Sequence, residues 1–133
     1  MAEFTPILKF HKVLGAERGG NMLAVSPKGN AFGFRAADLQ TEYNRVLHLF
    51  DEPDLEFLII DCSQTDYIDS ALVGVFIGLS KKVTIVGGRT VLCGLTERVE
   101  GILRNMQLLE GPAFEHLWSL ESTRDDAVAS LAG

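Results

Sequence analysis

The side chains best suited to chemistry crowd into one segment, DCSQTDYIDSAL, which holds Asp61, Asp66, Asp69 and Ser70. Carboxylates beside a serine could bind a cation, activate a hydroxyl, or present a group for modification. A hard-cation site needs six or more oxygen ligands in a suitable loop. No histidine or further carboxylate is spaced to complete one here, so the acids read as loop acids and a helix cap. Ser70 sits in IDSAL and lacks the flanking glycines of a nucleophile elbow. His11, His48 and His116 fall in separate stretches, and none is a convincing base for it. The chain has neither GxxxxGK[ST] nor GxGxxG. A phosphoacceptor receiver would want an acidic pair after its first strand and a lysine late in the sheet, and neither is in place. We therefore assign no catalytic residue, no metal and no cofactor, and expect no enzyme.

Modification is the chemistry that remains for Ser70. A phosphate adds about −1.5 to −2 charges. A helix N-terminus favours an anion by about 0.3–1 kcal/mol. One like charge at about 6 Å costs roughly 3 kcal/mol at an effective dielectric near 20, before salt screening. With Asp66 and Asp69 close in sequence, repulsion and tolerance are of similar size, and the fold should survive. A partner docked over this edge would lose a few kcal/mol, and about 1.4 kcal/mol is tenfold in affinity. Local chemistry leaves two readings open, a switch or a plain helix cap. Ser70, Gly74 and Gly78 also recur at i, i+4 and i+8, with Lys81 near the end of the same helix. Mid-helix glycines cost about 1 kcal/mol each, so this stripe should accept a close neighbour, either a helix of this domain or an outside partner.

The elements that must position these residues are legible from hydrophobic period. Residues 55–61 form a buried strand, and 70–86 a strongly apolar helix stopped at Gly87-Gly88. Residues 35–50 form an amphipathic helix whose inward face is Leu39, Tyr43, Val46, Leu47 and Phe50. His48 lies off that stripe. Strands are expected at 6–13, 22–26, 89–94 and 114–118, with a glycine-rich turn over 15–21. Thr96 should cap a third helix and Ser122 a last one. Residues 27–34 form a loop whose Phe32 and Phe34 either close over the core or join a binding surface. The order β-β-α-β-α-β-α-β-α implies mainly parallel pairing.

The 133 residues are expected to form one domain, 1–133, without linker or repeat. A net charge of −6 with scattered cations argues against tracking a phosphate backbone. No apolar run reaches the roughly 18 residues of a membrane helix, and the first residues lack a secretory pattern. A cytoplasmic protein is expected, with Cys62 and Cys93 as reduced core thiols.

Taken in order, DCSQTDYIDSALVG, its helix, GGRTVLCGLTERVEGILRNMQLL and the positions Asp61, Asp69, Ser70, Gly74, Gly87, Gly88 and Leu108 resemble the STAS domains, the fold of bacterial anti-sigma-factor antagonists. The resemblance spans about 22–118. It implies an α/β fold, a mixed sheet of about five strands with about four helices mainly on one face. It also implies a non-enzymatic partner-switching regulator. Its partners would be an anti-sigma-factor serine kinase, which phosphorylates Ser70, and a PP2C-type phosphatase. The implied partner surface is Phe32, Asp66, Asp69, Ser70, Leu72, Val73 and Gly74. Two positions depart from the family pattern. Leu72 replaces a usual glycine, narrowing access to Ser70 or changing partner packing. Phe32 stands near a position that is often acidic. The alternative that fits these departures is a non-phosphorylated STAS scaffold or subunit in a sensor or transport-associated complex.

Overall fold

The computed structural model describes residues 3–132. Its strands are β1 (Thr5–Pro6), β2 (Leu14–Gly19), β3 (Met22–Pro27), β4 (Phe57–Asp61), β5 (Arg89–Cys93) and β6 (Ser119–Glu121). Its helices are α1 (Ala36–Leu49), α2 (Ser70–Ile85), α3 (Glu97–Asn105), α4 (Pro112–Glu115) and α5 (Arg124–Ala132). The strands form one sheet in sequence order. β1, β2 and β3 pair antiparallel, and β3 to β6 pair parallel.

Each parallel strand lies beside the one before it, in one direction across the sheet. Right-handed crossovers then put every connecting helix on the same face. Leu23, Val25, Leu58, Ile60 and Leu92 meet α1, α2 and α3 there in the main core. The opposite face would be bare without α5. Its Ala127, Val128 and Leu131 cover Met22, Ala24, Ile59, Val91 and Cys93. With both faces covered, β4 reads as an unbroken apolar run rather than an alternating one. Cys62 and Cys93 are buried and free. Burial pushes the Cys93 thiol up to about 12 and the Cys62 thiol higher still, so both are protonated and inert.

Several expected elements move. Of the strand expected at 6–13, only Thr5–Pro6 pairs, and the stretch read as a turn is mostly β2. Gly15 and Gly19 look like breakers in sequence, yet the hairpin needs just Gly20-Asn21, with Gly20 at φ 60°. The last strand starts at Ser119, because Pro112 opens the short α4 where a strand was expected. Trp118 instead points inward, its indole N–H donating to the Leu108 carbonyl at 3.0 Å. Thr123, not Ser122, caps α5 by accepting the Asp126 amide at 3.1 Å.

One buried group was not anticipated. Glu42 faces inward on α1 and is 4% exposed. Its carboxylate accepts the backbone amides of Lys12, Val13 and Leu14 at 2.7–2.8 Å. Burial raises its pKa, but those three bonds and nearby His11 outweigh burial and hold it below the usual glutamate value. Glu42 thus fixes α1 against the chain entering β2. The opposite side has its own anchor. The Arg124 guanidinium donates to Asp61, Glu17 and Ser26 at 2.9–3.1 Å, tying α5 to β4, β2 and β3.

Candidate functional site

The three loops that leave the carboxyl ends of β3, β4 and β5 meet at one edge of the sheet. In open α/β sheets this is where ligands and partners are usually met. Two hydrogen bonds stitch the first two loops. The Asp66 amide donates to Asn30 Oδ1 at 2.8 Å, and the Ala31 amide to the Tyr67 carbonyl at 3.0 Å. Inside the second loop, buried Thr65 donates its hydroxyl to the Tyr67 carbonyl at 3.2 Å, and Ile68 anchors in the core. The loop therefore has little freedom to rearrange, and it delivers Asp69 and Ser70 in a set geometry.

Asp69 is the N-cap of α2. Its backbone is extended, and its Oδ1 accepts the Leu72 amide at 2.9 Å. Ser70 is the first helical residue and is exposed. Ser70 does not itself make the capping bond, which belongs to the residue before it. Gly74, one turn on, is exposed, and a Cβ there would meet nothing within 4 Å. Gly78 is different, since a Cβ would strike the Tyr43 hydroxyl of α1. The small-residue stripe is open at its amino end and closed by α1 at the other.

Phe32 stands 74% exposed on the rim. Its ring lies 5.5 Å from that of Tyr67, tilted by 45°. The guanidinium of Arg98, in the first turn of α3, lies 5.3 Å from the Tyr67 ring centre. The three side chains line up as an aromatic shelf with a cation at one end. Phe34 behaves differently and packs against the core. Of the two phenylalanines of that loop, one closes over the core and the other is left exposed on the rim.

Residues 15–127 match the STAS domain. The chain belongs to the STAS domain family. No curated protein matches it significantly by sequence. An anti-sigma-factor antagonist (STAS) domain protein from Planctomyces limnophilus superposes with a TM-score of 0.71 at 14% identity, covering 92% of this chain and 100% of that one. SpoIIAA, a Bacillus cell fate determinant in its phosphorylated form, gives 0.62 at 12% identity, covering 96% and 98%. Murine SLC26A9, an anion transporter, gives 0.61 at 17% identity, with 86% of this chain matched to 18% of the transporter. At such identities the likeness is one of fold.

In this STAS domain the expected site residues separate into two groups. Phe32, Asp66, Ser70 and Gly74 are exposed, and Asp69 is partly so. Leu72 and Val73 correct the expectation, being 0% and 1% exposed in the main core. The reason is helical period. Leu72, Phe76, Leu79 and Val83 form the inward stripe of α2, so Leu72 neither narrows access to Ser70 nor offers a contact. Asp61 is also spoken for, between the Ser63 amide and Arg124, both at 3.0 Å. Tyr67 and Arg98 were missed. A tyrosine in a polar loop was a visible signal, but Arg98 is brought to it only by the tertiary fold. The histidines lie elsewhere: His11 bonds the Leu14 carbonyl, His48 faces Asp51, and His116 sits near the far end of α2. Among the described residues no cluster of three or more metal-binding side chains occurs, and no helix is long and apolar enough to cross a membrane.

Proposed function

We propose that this STAS domain is a cytoplasmic partner-switching regulator of the anti-sigma-factor antagonist type. It binds an anti-sigma-factor serine kinase through Phe32, Tyr67, Arg98, Asp66, Ser70 and Gly74. The kinase phosphorylates Ser70, and a PP2C-type phosphatase restores it. The observation that carries this reading is the division of labour at the start of α2. Asp69 caps the helix, and Ser70 stands exposed beside an open glycine face. A phosphate there would face the helix dipole and the acids Asp69 and Asp66. It would leave the core untouched while changing the charge of the docking surface. The test is intact mass after incubation with ATP and a serine kinase encoded beside this gene. A phosphate gain that vanishes in Ser70→Ala is expected. An unmodified chain in the presence of a demonstrably active cognate kinase would overturn it.

A second reading is a STAS scaffold whose shelf docks constitutively. The apolar exposure of Phe32 favours it, as does the fold shared with part of a transporter. It predicts that Phe32→Ala weakens capture of the partner about tenfold while Ser70→Glu leaves capture intact. The switch predicts that both substitutions weaken capture.

A further inference from the structure

Charge is unevenly spread along this chain. Residues 4–45 carry six cations against three acidic side chains, although the whole chain stands at −6. Such asymmetry within one chain points to an anionic partner for the basic part. Two of the three acids are already spent inside the fold. Glu42 is buried and accepts three backbone amides, and Glu17 is paired with Arg124. That leaves Asp38 against the cations.

Scattered in sequence, five of those cations are gathered by the fold at one corner. Glu42 holds residues 12–14 against α1, and Arg45 follows it by about one helical turn. Lys9, Phe10 and Arg45 thereby line one shallow hollow of about 480 Å³. Lys12, Lys28 and Arg35 line a neighbouring one of about 320 Å³. Lys28 links the two, donating its ammonium to the His11 carbonyl at 2.7 Å. All five cations are exposed, and none is ion-paired among the described residues.

The corner also has an apolar tip. The His11 amide donates to the Leu8 carbonyl at 3.3 Å, closing a turn with Lys9 and Phe10 at its centre. Phe10 is 90% exposed, and Ile7 beside it is 37% exposed. A groove-binding peptide would need a concave seat for its own side chains, whereas this ring protrudes. An aromatic ring on a protruding turn, with unpaired cations next to it, suits the lipid–water interface. There the ring sits at headgroup level and the cations meet anionic lipids. Acids elsewhere on the surface weigh little, because exposed charges beyond about 8 Å are largely screened at physiological salt.

We propose that this corner seats the domain peripherally on an anionic lipid surface, with Phe10 entering the headgroup layer and Lys9, Lys12, Lys28, Arg35 and Arg45 meeting lipid phosphates. The inference is independent of Ser70 and its partner.

The full chain is floated with vesicles of equal parts phosphatidylglycerol and phosphatidylcholine, with pure phosphatidylcholine as the neutral arm. Flotation with the anionic vesicles alone is expected, and it should fall as salt is raised. Lys9→Glu should weaken partitioning at least about fivefold, and Phe10→Ser about tenfold. Lys81→Glu, on α2, changes net charge as much as Lys9→Glu and should leave partitioning unchanged. All three residues are exposed, and an unchanged Tm confirms that each variant folds. No flotation with anionic vesicles, equal flotation with the neutral ones, or an equal loss in Lys81→Glu would overturn the proposal. Retention on polyglutamate that Lys9→Glu abolishes, without flotation, would overturn it and assign the corner to an acidic protein segment. Dimerisation that Lys9→Glu abolishes, without flotation, would overturn it too and assign the corner to a second copy.

Discussion

Gly74 and Gly78 stand one turn apart on the same face of α2, yet they meet different worlds. At Gly78 the Tyr43 hydroxyl lies where a Cβ would be, and at Gly74 there is open space. Each glycine costs the helix about 1 kcal/mol. At Gly78 that cost is offset inside the chain, because α1 packs closely. At Gly74 no contact among the described residues offsets it. The comparison extends to the ends of the helix. The carboxyl end is closed by Gly87 and Gly88, whose amides reach the Thr84 and Val83 carbonyls at 3.0 and 2.8 Å in a Schellman cap. The amino end is capped by a side chain and leaves Ser70 in the open. The glycine face of α2 is thus covered at Gly78 and uncovered at Gly74.

Substitutions in the closed half should therefore damage stability, and those in the open half recognition. The largest effect is expected at Gly88, where any Cβ would fall on the Glu56 carbonyl oxygen. That atom belongs to backbone and cannot swing aside. Gly88→Ala should cost about 3–5 kcal/mol, read as a collapse of the denaturation midpoint. Next comes Glu42→Gln, which loosens α1 and with it the cover over Gly78. It exchanges a charged acceptor of three amides for a neutral one and should cost about 2–3 kcal/mol at neutral pH. Because the folded pKa of Glu42 is lowered, its contribution is complete above the ordinary glutamate pKa of about 4.3. It is lost as pH falls through the lower folded value. Urea midpoints measured down to acid pH should fall more steeply for the wild type than for Glu42→Gln.

The helix glycines give the sharpest contrast. Gly78→Ala meets the end of a flexible tyrosine and should destabilise by about 1–2 kcal/mol. Gly74→Ala should stabilise by about 0.5–1 kcal/mol while weakening capture of the partner. Thermal melts beside a pull-down would show both, and destabilisation by Gly74→Ala would break the comparison. The smallest stability effect is expected at Phe32. Phe32→Ala should stay within about 0.5 kcal/mol, yet reduce partner affinity about tenfold if the shelf is a docking anchor.

Local pattern made much of the frame legible. Helices over 36–49, 70–85 and 97–105 and the strands at 57–61 and 89–93 fall close to their expected places, because each carries a clean hydrophobic period and a stop signal. β2 was hidden because Gly15 and Gly19 look like punctuation. A strand accepts glycine when its partners on both sides supply the ladder, and β2 has β1 and β3. β6 was displaced because the buried aromatic residue Trp118 is held by a bond to Leu108, outside any strand. At the site, Asp69 and Ser70 could be picked out from their place before an apolar helix. Leu72 and Val73 were mistaken for surface because they follow Ser70 in sequence, although period 3.6 sends them inward.

Short-range rules operate within a turn or two, so the sequence alone determined the STAS frame, the N-terminus of α2 and the small-residue stripe along it. They cannot say which neighbour arrives. Tyr43 covering Gly78, Glu42 gathering three amides, Arg98 reaching Tyr67 and Arg124 pinning Asp61 all join residues at least 28 apart. Only the packing of helices on a twisted sheet brings such pairs together. That packing decided which glycine of α2 was covered and which was left open.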